Sequence, residues 1–337
     1  MKTKLFPACY IEMPTSAEGK RAAFYLAAEE YIAKNFPKDN YLFSWQVSPT
    51  VVMGRNQIAH LELDLDYCRH NGIDIIRRKS GGGSIYADEE NIMLSLITGP
   101  GAVEPIFEAY AKNVAACLRQ MGAPATVSGR NDILLEGGGK ICGNAFYHLN
   151  DRNIVHGTML YGTNFEAMSQ ALTPDKAKLQ SKGVTSVKSR VSVLKDVLPL
   201  SLPTLRQCLR QQLTDRCIRL TEDDVQTIKA IEADYYDPIY LFGKSQHTDT
   251  TLQGHIDGCG MITFQFSLKG TLIDNVRLKG DFFTLEDASL AFRSAWSGVE
   301  FTPTHLIAAL HERHPERSIR GLTVEQLSAL ITQEFPK

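Results

Sequence analysis

The sequence predicts an α/β protein of the α+β kind, with a mixed, largely antiparallel sheet, packed helices and a small α+β domain at its C-terminus. Three observations lead to this prediction. Strand-like and helix-like segments are interleaved, but without the strict strand–helix–strand rhythm of a doubly wound parallel sheet. Glycines at 137–139 separate two apolar runs, which is typical of a hairpin. A polar, turn-rich stretch at 243–251 separates a last set of elements from the rest.

The first two thirds of the chain supply the elements of the large sheet. A helix is predicted over residues 16–35, because its apolar residues recur at helical spacing. Pro37 ends this pattern. A second helix is predicted over residues 104–121 for the same reason. The predicted strands of this part cover residues 5–13, 41–47, 50–53, 73–78, 91–98, 132–136, 140–147 and 154–161.

The remaining third of the chain predicts two further helical stretches, within residues 203–233, and then the small domain. Beyond the polar stretch, apolar residues alternate from 261 to 267 and from 271 to 278, which predicts a hairpin. The expected domains are a large one over residues 1–245, a linker over 246–252 and a small α+β domain over 253–337, with helices at 285–295, 302–311 and 323–333.

The composition argues against several classes of function. Lys and Arg total 36 and Asp and Glu total 38, so the net charge of −2 gives no reason to expect a nucleic acid partner. No apolar run reaches the ~18 residues of a membrane span, so no membrane partner is expected. The seven cysteines are odd in number and form no C-x-x-C pair, which argues against disulfides and favours a cytoplasmic location.

The most informative motif is RRKSGGGS, at residues 77–84. Three consecutive glycines are expected where the backbone takes a positive φ or closely approaches a ligand. Their N–H groups can form a nest for an anion, and Arg77, Arg78 and Lys79 add positive charge for a phosphate or a carboxylate. The motif therefore predicts an anion site, and the alternative interpretation is a flexible loop with a solvated basic edge.

Established nucleotide-binding and hydrolase motifs are missing from the sequence. Residues 136–141, EGGGKI, are the nearest match to a Walker A motif, but they lack its first glycine and its Ser or Thr. No G-x-G-x-x-G lies between a strand and a helix, and neither a zinc-protease histidine pattern nor a G-x-S-x-G elbow occurs. Kinase and dehydrogenase interpretations therefore lose their main support.

Three further clusters follow the glycine loop in the chain. Asn131 and Asp132 precede a glycine turn, and Lys140 follows that turn, where it is either a fixed cation for a charged ligand or an exposed, inert lysine. His156 lies in a predicted strand and is either a ligand contact or a structural histidine. Residues 182–191 combine three cations with several hydroxyls, which suits either a phosphate contact or a solvated loop.

Together and in this order, these motifs resemble those of the lipoate–protein ligase family. The resemblance begins at PTVVMGRNQ (49–57), continues through the glycine loop, GRNDILL, KICGNAF and HGTMLY, and reaches residue 198. In the tail, LKGDFF (278–283) resembles the small accessory domain of that family. The resemblance implies a catalytic core similar to biotin protein ligases and class II synthetases, which agrees with the mixed sheet expected above.

The resemblance also implies an ATP-dependent reaction in two steps. The carboxylate of lipoate attacks the α-phosphate of ATP, giving lipoyl-AMP and pyrophosphate, and a lysine of a carrier domain then takes the lipoyl group. ATP and lipoate are the implied substrates, and Mg²⁺ is expected with ATP although no ligand set is legible. The implied partners are lipoyl carrier proteins, either the glycine-cleavage H protein or E2 subunits of 2-oxoacid dehydrogenases.

The functional residues of the family fall on matching positions of this chain. The implied essential lysine is Lys140. The implied ATP- and adenylate-binding residues are Arg78, Gly83, Ser84, Ile85, Tyr86, Asn131, Asp132, Lys140, Lys182 and Gly183. The implied lipoate-binding residues are Arg77, Arg78, Ser80, Gly81, Gly82, Gly83, Lys140 and His156.

Two departures from the family pattern keep alternatives open. Where the family reads H-D-x-G-N, residues 87–91 read ADEEN, so the histidine and the glycine are replaced. Cys142 stands where the family often has serine, and on a strand it would share a face with Lys140, whose charge can lower the pKa of a thiol. One alternative is therefore an octanoyl or lipoyl transferase that uses a Cys142 acyl-thioester without ATP. The other is a non-catalytic carrier-binding subunit.

Overall fold

The computed structural model of the protein describes residues 8–17, 19–128, 132–173, 191–242 and 248–335. The strands are β1 (Ala8–Glu12), β2 (Tyr41–Trp45), β3 (Thr50–Met53), β4 (Asp74–Arg77), β5 (Ile85–Ala87), β6 (Asn91–Thr98), β7 (Ala125–Ser128), β8 (Asp132–Leu135), β9 (Lys140–Leu149), β10 (Arg152–Leu160), β11 (Thr214–Arg219), β12 (Thr250–Ile256), β13 (Gly260–Lys269) and β14 (Leu272–Gly280). The helices are α1 (Ala22–Asn35), α2 (Ala59–Glu62), α3 (Leu65–His70), α4 (Val103–Gln120), α5 (Phe165–Ala171), α6 (Leu202–Leu213), α7 (Glu222–Glu232), α8 (Pro238–Phe242), α9 (Ala288–Trp296), α10 (Pro303–Arg313) and α11 (Val324–Glu334). None of these helices has the length and apolar character that crossing a membrane requires.

The largest sheet has eight strands in the order β11-β1-β2-β6-β10-β9-β8-β7. Strand β1 pairs in parallel with β11 and β2, and the other neighbours pair antiparallel. Alternate side chains of a strand point to opposite faces. Tyr10 and Leu42 accordingly pack with α4 and α6, whereas Cys9 and Phe43 pack with α1 and α7 on the other face. The predicted mixed, largely antiparallel sheet with packed helices is confirmed.

A second, three-stranded sheet with the order β4-β3-β5 carries the glycine loop between β4 and β5. Strand β3 pairs in parallel with β4 and antiparallel with β5. Val51, Met53 and Tyr86 form a small core with residues of α2, α3 and α5. Val52 and Ile76, from the same strands, belong to the core cluster that contains α1. The loop therefore starts and ends on strands that are anchored on both faces.

The accessory domain is a three-stranded antiparallel sheet, β12-β13-β14, with α9, α10 and α11 packed on one face. The alternating residues Phe264 and Phe266 lie in its core, as predicted for this hairpin, and contact Trp296. The expected linker, 246–252, is too long at its C-terminal end. Strand β12 begins at Thr250 and Leu252 is buried, because these mostly polar residues pair with β13. Residues 243–247 lie outside the described ranges.

Other local elements also depart from the sequence prediction, and helix α1 and strand β11 show why. Helix α1 begins at Ala22 rather than at residue 16, because a 3₁₀ turn, Thr15–Ala17, precedes it. Strand β11 was not expected, because its TDRCIR sequence is largely polar and lies at the exposed edge of the large sheet. Such a strand has no buried face to give it an apolar alternation.

The accessory domain contacts the large domain directly. The Phe283 side chain is buried in the large domain's core cluster and stacks on Phe146, with ring centroids 5.5 Å apart. The Arg320 guanidinium lies 5.4 Å from the centroid of the Phe107 ring, a distance suited to a cation–π contact. The Gly82 N–H donates to the Phe282 carbonyl at 3.1 Å. The accessory domain therefore contacts the glycine loop itself.

Candidate active site

A cavity of about 200 Å³ lies between the two domains, next to the glycine loop. It has the composition expected of a small-molecule site, a largely apolar lining with a few converging polar groups. Its apolar lining includes Leu26, Trp45, Val52, Met93, Ala145 and Leu160. Its polar lining includes Arg78, Ser84, Asp132, Lys140, Asn144 and His156. The accessory domain contributes Asp281 and Phe283.

Arg78 fixes the shape of the glycine loop. Its guanidinium donates to the carbonyls of Val52, Gly81 and Gly83, at 3.0, 2.6 and 2.8 Å, and to the Ser80 hydroxyl at 2.8 Å. Burial lowers the pKa of Arg78 to about 10, so the side chain remains cationic at neutral pH. The arginine therefore both shapes the loop and brings a positive charge to the cavity wall.

The glycines of the loop allow a very close approach of two backbones. A Cβ on Gly54 would lie 1.9 Å from the Gly82 carbonyl oxygen, so no side chain fits at residue 54. Gly82 has a φ of +84°, in the region that favours glycine. Gly81 also faces the accessory domain, since a Cβ there would lie 2.3 Å from the Phe282 carbonyl oxygen. The loop is therefore held between the β3 end and the accessory domain.

A buried polar chain runs from the loop to helix α1. The Ser80 hydroxyl lies 2.7 Å from Nε2 of His156, and Nδ1 of His156 lies 2.9 Å from the Glu29 carboxylate. Glu29 is fully buried and also accepts a hydrogen bond from Ser95 at 2.5 Å. The Trp45 indole N–H donates to the same Ser95 hydroxyl at 2.9 Å. This chain fixes the rings of His156 and Trp45, both of which line the cavity.

Lys140 lies at the first position of β9, and its side chain lies between Asp132 and Gly143. Its Nζ is 2.7 Å from Oδ1 of Asp132 on the neighbouring strand. The lysine chain crosses Gly143, where a Cβ would lie 2.4 Å from Nζ. Both charged side chains are about four-fifths buried and both line the cavity. The result is an ammonium group with a fixed position at the cavity wall.

The Cys142 side chain lies in the core of the large domain, whereas the Lys140 side chain lies at the cavity wall. The pairing of β8 with β9 is irregular, with Leu134 opposite Lys140 and Ile133 opposite Cys142, so the alternation of side chains is broken between them. The Cys142 thiol is fully buried in the core and donates to Oδ1 of Asn144 at 3.4 Å. Burial raises its pKa to about 12. The prediction that Cys142 and Lys140 share a face is therefore wrong, and this thiol is poorly placed to be a nucleophile.

Arg77 also departs from the sequence interpretation, which gave it a lipoate contact. Its guanidinium donates to the carbonyls of Gly54, Arg55, Gln57 and Leu241, at 2.6 to 3.0 Å, and it does not line the cavity. Neighbouring residues at a strand end point to opposite sides. The buried Arg77 therefore ties the 54–57 turn to α8, while Arg78 reaches the cavity.

The structure brings together most of the residues that the sequence singled out. The predicted residues that line the cavity are Arg78, Gly82, Gly83, Ser84, Ile85, Tyr86, Asp132, Lys140 and His156. Ser80 and Gly81 lie behind this wall, where Ser80 supports His156. Asn131, Lys182 and Gly183 lie outside the described residues.

Sequence reasoning missed Glu29, Trp45, Asp281 and Phe283. Glu29 had a usable signal, because it lies beside Glu30 within the apolar run of α1, where a buried carboxylate needs a partner. Trp45 had none, since a tryptophan in an apolar strand is an ordinary core residue. Asp281 and Phe283 lie within the LKGDFF motif, but their approach to the cavity depends on how the two domains meet.

Comparison with known proteins identifies the family of this chain. The family described as "Lipoyl protein ligase A/B catalytic domain" matches residues 21–214, and "Bacterial lipoate protein ligase C-terminus" matches residues 245–331. The chain is 31% identical over 275 residues to the probable lipoate-protein ligase A of Mycoplasma pneumoniae, covering 78% of this chain and 81% of that protein. It is 32% identical over 276 residues to the lipoate-protein ligase LplJ of Bacillus subtilis, covering 78% and 83%.

Solved structures share the fold. The Plasmodium falciparum LipL1 complex with lipoate superposes with a TM-score of 0.79 at 15% identity, covering 97% of this chain and all of that one. A lipoate-protein ligase A bound with ATP superposes with a TM-score of 0.60 at 22% identity, covering 71% and 99%. The predicted resemblance is confirmed: this chain belongs to the lipoate–protein ligase family.

Proposed function

We propose that this protein activates lipoate with ATP to form lipoyl-AMP, and then transfers the lipoyl group to a lysine of a lipoyl carrier domain. The observation that carries the proposal is the fixed Lys140 ammonium, held by Asp132 at the wall of a cavity that is otherwise largely apolar. An apolar lining suits the aliphatic tail and ring of lipoate. The cations Lys140 and Arg78 suit the carboxylate and the phosphate that must meet beside them.

In the first step, a carboxylate oxygen of lipoate forms a bond to the α-phosphorus of ATP. The bond from that phosphorus to the bridging oxygen breaks, and pyrophosphate leaves with the electron pair. Negative charge is concentrated around the phosphorus and the carboxylate in the transition state, where a positioned ammonium stabilises it more than in the separate reactants. Lys140 is the group we assign to this role.

In the second step, the amine of the carrier lysine forms a bond to the carbonyl carbon of lipoyl-AMP, loses a proton, and AMP leaves. The carbonyl oxygen carries negative charge in the intermediate, so Lys140 also suits this step. The chain Ser80–His156–Glu29 supports the cavity wall on which the lipoyl group would rest. We propose that His156 contacts the lipoyl group and that Arg78 and the glycine loop hold the phosphate.

The proposed substrates, ATP and lipoate, are supported by two solved structures of similar fold, a lipoate-protein ligase A bound with ATP and a lipoate protein ligase of Thermoplasma acidophilum with bound lipoic acid. Mg²⁺ is expected with ATP. In the described ranges no group of three or more His, Cys, Asp or Glu is arranged to hold a metal ion. Mg²⁺ commonly binds through substrate phosphates and few carboxylates, so we derive no step from a resident ion.

The partners that we propose are lipoyl carrier proteins, the H protein or E2 subunits. An archaeal ligase of Thermoplasma acidophilum, whose structure is described together with its E2 lipoyl domain, superposes with a TM-score of 0.62 at 24% identity. We also propose a cytoplasmic location, supported by seven cysteines that are all free thiols. The division into a catalytic domain, residues 1–245, and a C-terminal accessory domain is likewise proposed.

The test is isotope exchange between pyrophosphate and ATP, measured with and without lipoate. The ligase should exchange label only when lipoate is present. A transferase that uses Cys142 should show no exchange and should form an acyl-thioester that mass spectrometry detects. A non-catalytic carrier-binding subunit should show neither, so absence of lipoate-dependent exchange would contradict the proposed function.

A further inference from the structure

Strand β10 places a hydroxyl group at the cavity wall that the mechanism above does not use. Thr158 is 7% exposed and lines the cavity. It lies two positions after His156 in β10, so both side chains point to the same face of the large sheet. Within the described ranges, the Thr158 hydroxyl makes no hydrogen bond to another residue. Its donor and its acceptor positions are therefore available to a molecule in the cavity.

Thr158 belongs to a row of cavity-lining residues that crosses the large sheet. Its neighbour on β6 is Met93, whose own neighbour on β2 is Trp45. Its neighbour on β9 is Gly143, which pairs in turn with Asp132 on β8. All five residues line the cavity, and directly paired residues of neighbouring strands share a face. The row therefore changes from large apolar side chains at β2 and β6 to a charged one at β8, and Thr158 lies at the boundary.

The Lys140 ammonium group lies beside Thr158 in this row. The lysine side chain crosses Gly143, so that Nζ occupies the space that a side chain at residue 143 would take. Gly143 is paired with Thr158, and the Cβ positions of such a pair are about 4.5–5.5 Å apart. Because residue 143 is a glycine, no side chain of its own separates the ammonium group from the hydroxyl. The two donors can therefore reach the two oxygens of one carboxylate.

An aliphatic carboxylate fits this row from end to end. Its chain would cover Trp45 and Met93, and its carboxylate would lie between Thr158 and Lys140. One carboxylate oxygen can accept the hydrogen bond of the hydroxyl while the other faces the ammonium group. A phosphate of ATP has no aliphatic chain to cover the apolar half of the row, and its proposed place is at Arg78 and the glycine loop. The row therefore favours the carboxylate of lipoate as the partner of the hydroxyl.

We propose that Thr158 is a further catalytic residue, whose hydroxyl donates a hydrogen bond to the carboxylate oxygen of lipoate that does not attack phosphorus. This assignment rests on the proposed function. The bond orients the carboxylate so that its other oxygen, beside Lys140, faces the α-phosphorus. The oxygen held by Thr158 becomes the carbonyl oxygen of lipoyl-AMP and carries negative charge when the carrier amine attacks, so the hydroxyl stabilises that step too. Thr158 keeps its proton throughout.

The test compares variants of Thr158 in the full-length protein by lipoate-dependent pyrophosphate exchange. Thr158→Val keeps the branched shape of the side chain and removes the hydroxyl. It should lower kcat/KM for lipoate by about 10-fold or more, because a donor to a charged group is lost. Thr158→Ala also lacks the hydroxyl and should show a similar loss. Thr158→Ser should stay within ~3-fold of wild type, because the donor is retained.

Thr163→Val is the matched control for the removal of a threonine hydroxyl. Thr163 is 5% exposed, its hydroxyl has no hydrogen-bond partner in the described part of the chain, and it does not line the cavity. Thr163→Val should therefore exchange label as the wild type does. Thermal unfolding of each variant checks that the fold is kept.

A second measurement isolates the transfer step. Supplied lipoyl-AMP and a carrier domain need no ATP, and Thr158→Val should transfer the lipoyl group more slowly than Thr158→Ser. Wild-type kcat/KM for lipoate in a folded Thr158→Val or Thr158→Ala would overturn the role of Thr158, as would an equal loss in Thr158→Ser. Absence of exchange in the wild type would instead contradict the proposed function, so the two failures are distinguishable.

Discussion

The two walls of the cavity are held in different ways. On the wall from the large domain, each polar side chain is fixed by a neighbour within the same domain. Lys140 lies on Asp132, and His156 lies on the buried Glu29. Arg78 is fixed by backbone carbonyls on both sides of the glycine loop.

The wall from the accessory domain consists of Asp281 and Phe283 and is attached through fewer groups. The Gly82 and Gly280 N–H groups each make one backbone bond across the boundary, and Phe283 stacks on Phe146. The Asp281 carboxylate is bound within its own domain, where it accepts the Met261 N–H at 2.6 Å. The comparison teaches that, among the described residues, the polar side chains proposed for the chemistry are fixed within the large domain, whereas the accessory domain covers them.

The largest expected effect concerns Lys140. Lys140→Ala should fold normally and should lose at least ~100-fold in lipoate-dependent pyrophosphate exchange, because the loss of one positioned charge donor costs about 3 kcal/mol of barrier. Lys140→Arg should recover little, because the planar guanidinium does not fit the space over Gly143. Lys112→Ala is the control, since Lys112 is an exposed lysine on α4 whose partner is Glu108. If Lys140→Ala exchanges pyrophosphate within ~3-fold of the wild-type rate, Lys140 does not have the proposed catalytic role.

The next effect concerns the accessory wall and should appear in stability. Phe283→Ala should lower the free energy of unfolding by roughly 3 kcal/mol, as is typical when a fully buried phenylalanine is truncated. Phe242→Ala is the control, because that side chain is about half exposed and should cost little. Chemical denaturation measures both. If Phe283→Ala and Phe242→Ala lose the same free energy of unfolding, the contact of Phe283 with the large domain makes no specific contribution to stability.

A smaller effect is expected at the point where the walls touch. Gly82→Val should weaken binding of a lipoyl-AMP analogue by about 10-fold or more, because the positive φ alone costs 1–2 kcal/mol with a side chain. Its Cβ would also lie 3.0 Å from the Phe283 ring and 3.1 Å from Arg78. Gly99→Val is the control, since a Cβ there meets no atom closer than 3.7 Å. If Gly82→Val binds the lipoyl-AMP analogue with wild-type affinity, the glycine loop does not contribute to ligand binding.

The smallest effect is expected at Cys142. With a pKa of about 12, the buried thiol is protonated at neutral pH. Cys142→Ser should therefore keep exchange activity within ~3-fold, because serine fills the same small polar position, and no acyl-thioester should form on the wild type. Mass spectrometry after incubation with an acyl donor checks this. A thioester on Cys142 would contradict this prediction and would show that the enzyme uses Cys142 as a covalent nucleophile.

The large-domain wall could be predicted from sequence because its signals are local. The glycine loop, the turn before Lys140 and the alternating strands around His156 each lie within a few residues of one another. Their order along the chain matched a family pattern. What remained open was orientation: Arg77 and Arg78 are neighbours with the same chemistry, and only the packing of the 54–57 turn decides which one faces the cavity.

The accessory wall could not be predicted, because it depends on contacts between distant residues. The Phe283 side chain leaves its own domain and packs with Phe146, and no local pattern indicates that. Strand β11 was missed for a similar reason, since a polar edge strand is specified by its parallel pairing with β1. The irregular pairing of β8 with β9 likewise placed Cys142 in the core, against the simple alternation.

The most direct test of the difference between the walls is a single-turnover measurement of lipoyl-AMP formation in Lys140→Ala and in Phe283→Ala. With saturating ATP and lipoate, Lys140→Ala should form the adenylate at least ~100-fold more slowly than wild type, because it lacks the charge donor. Phe283→Ala should form it within ~10-fold of wild type, since every group assigned to the chemistry stays in place. The reverse order, with Phe283→Ala the slower of the two, would contradict the claim that the large domain alone holds the geometry for chemistry.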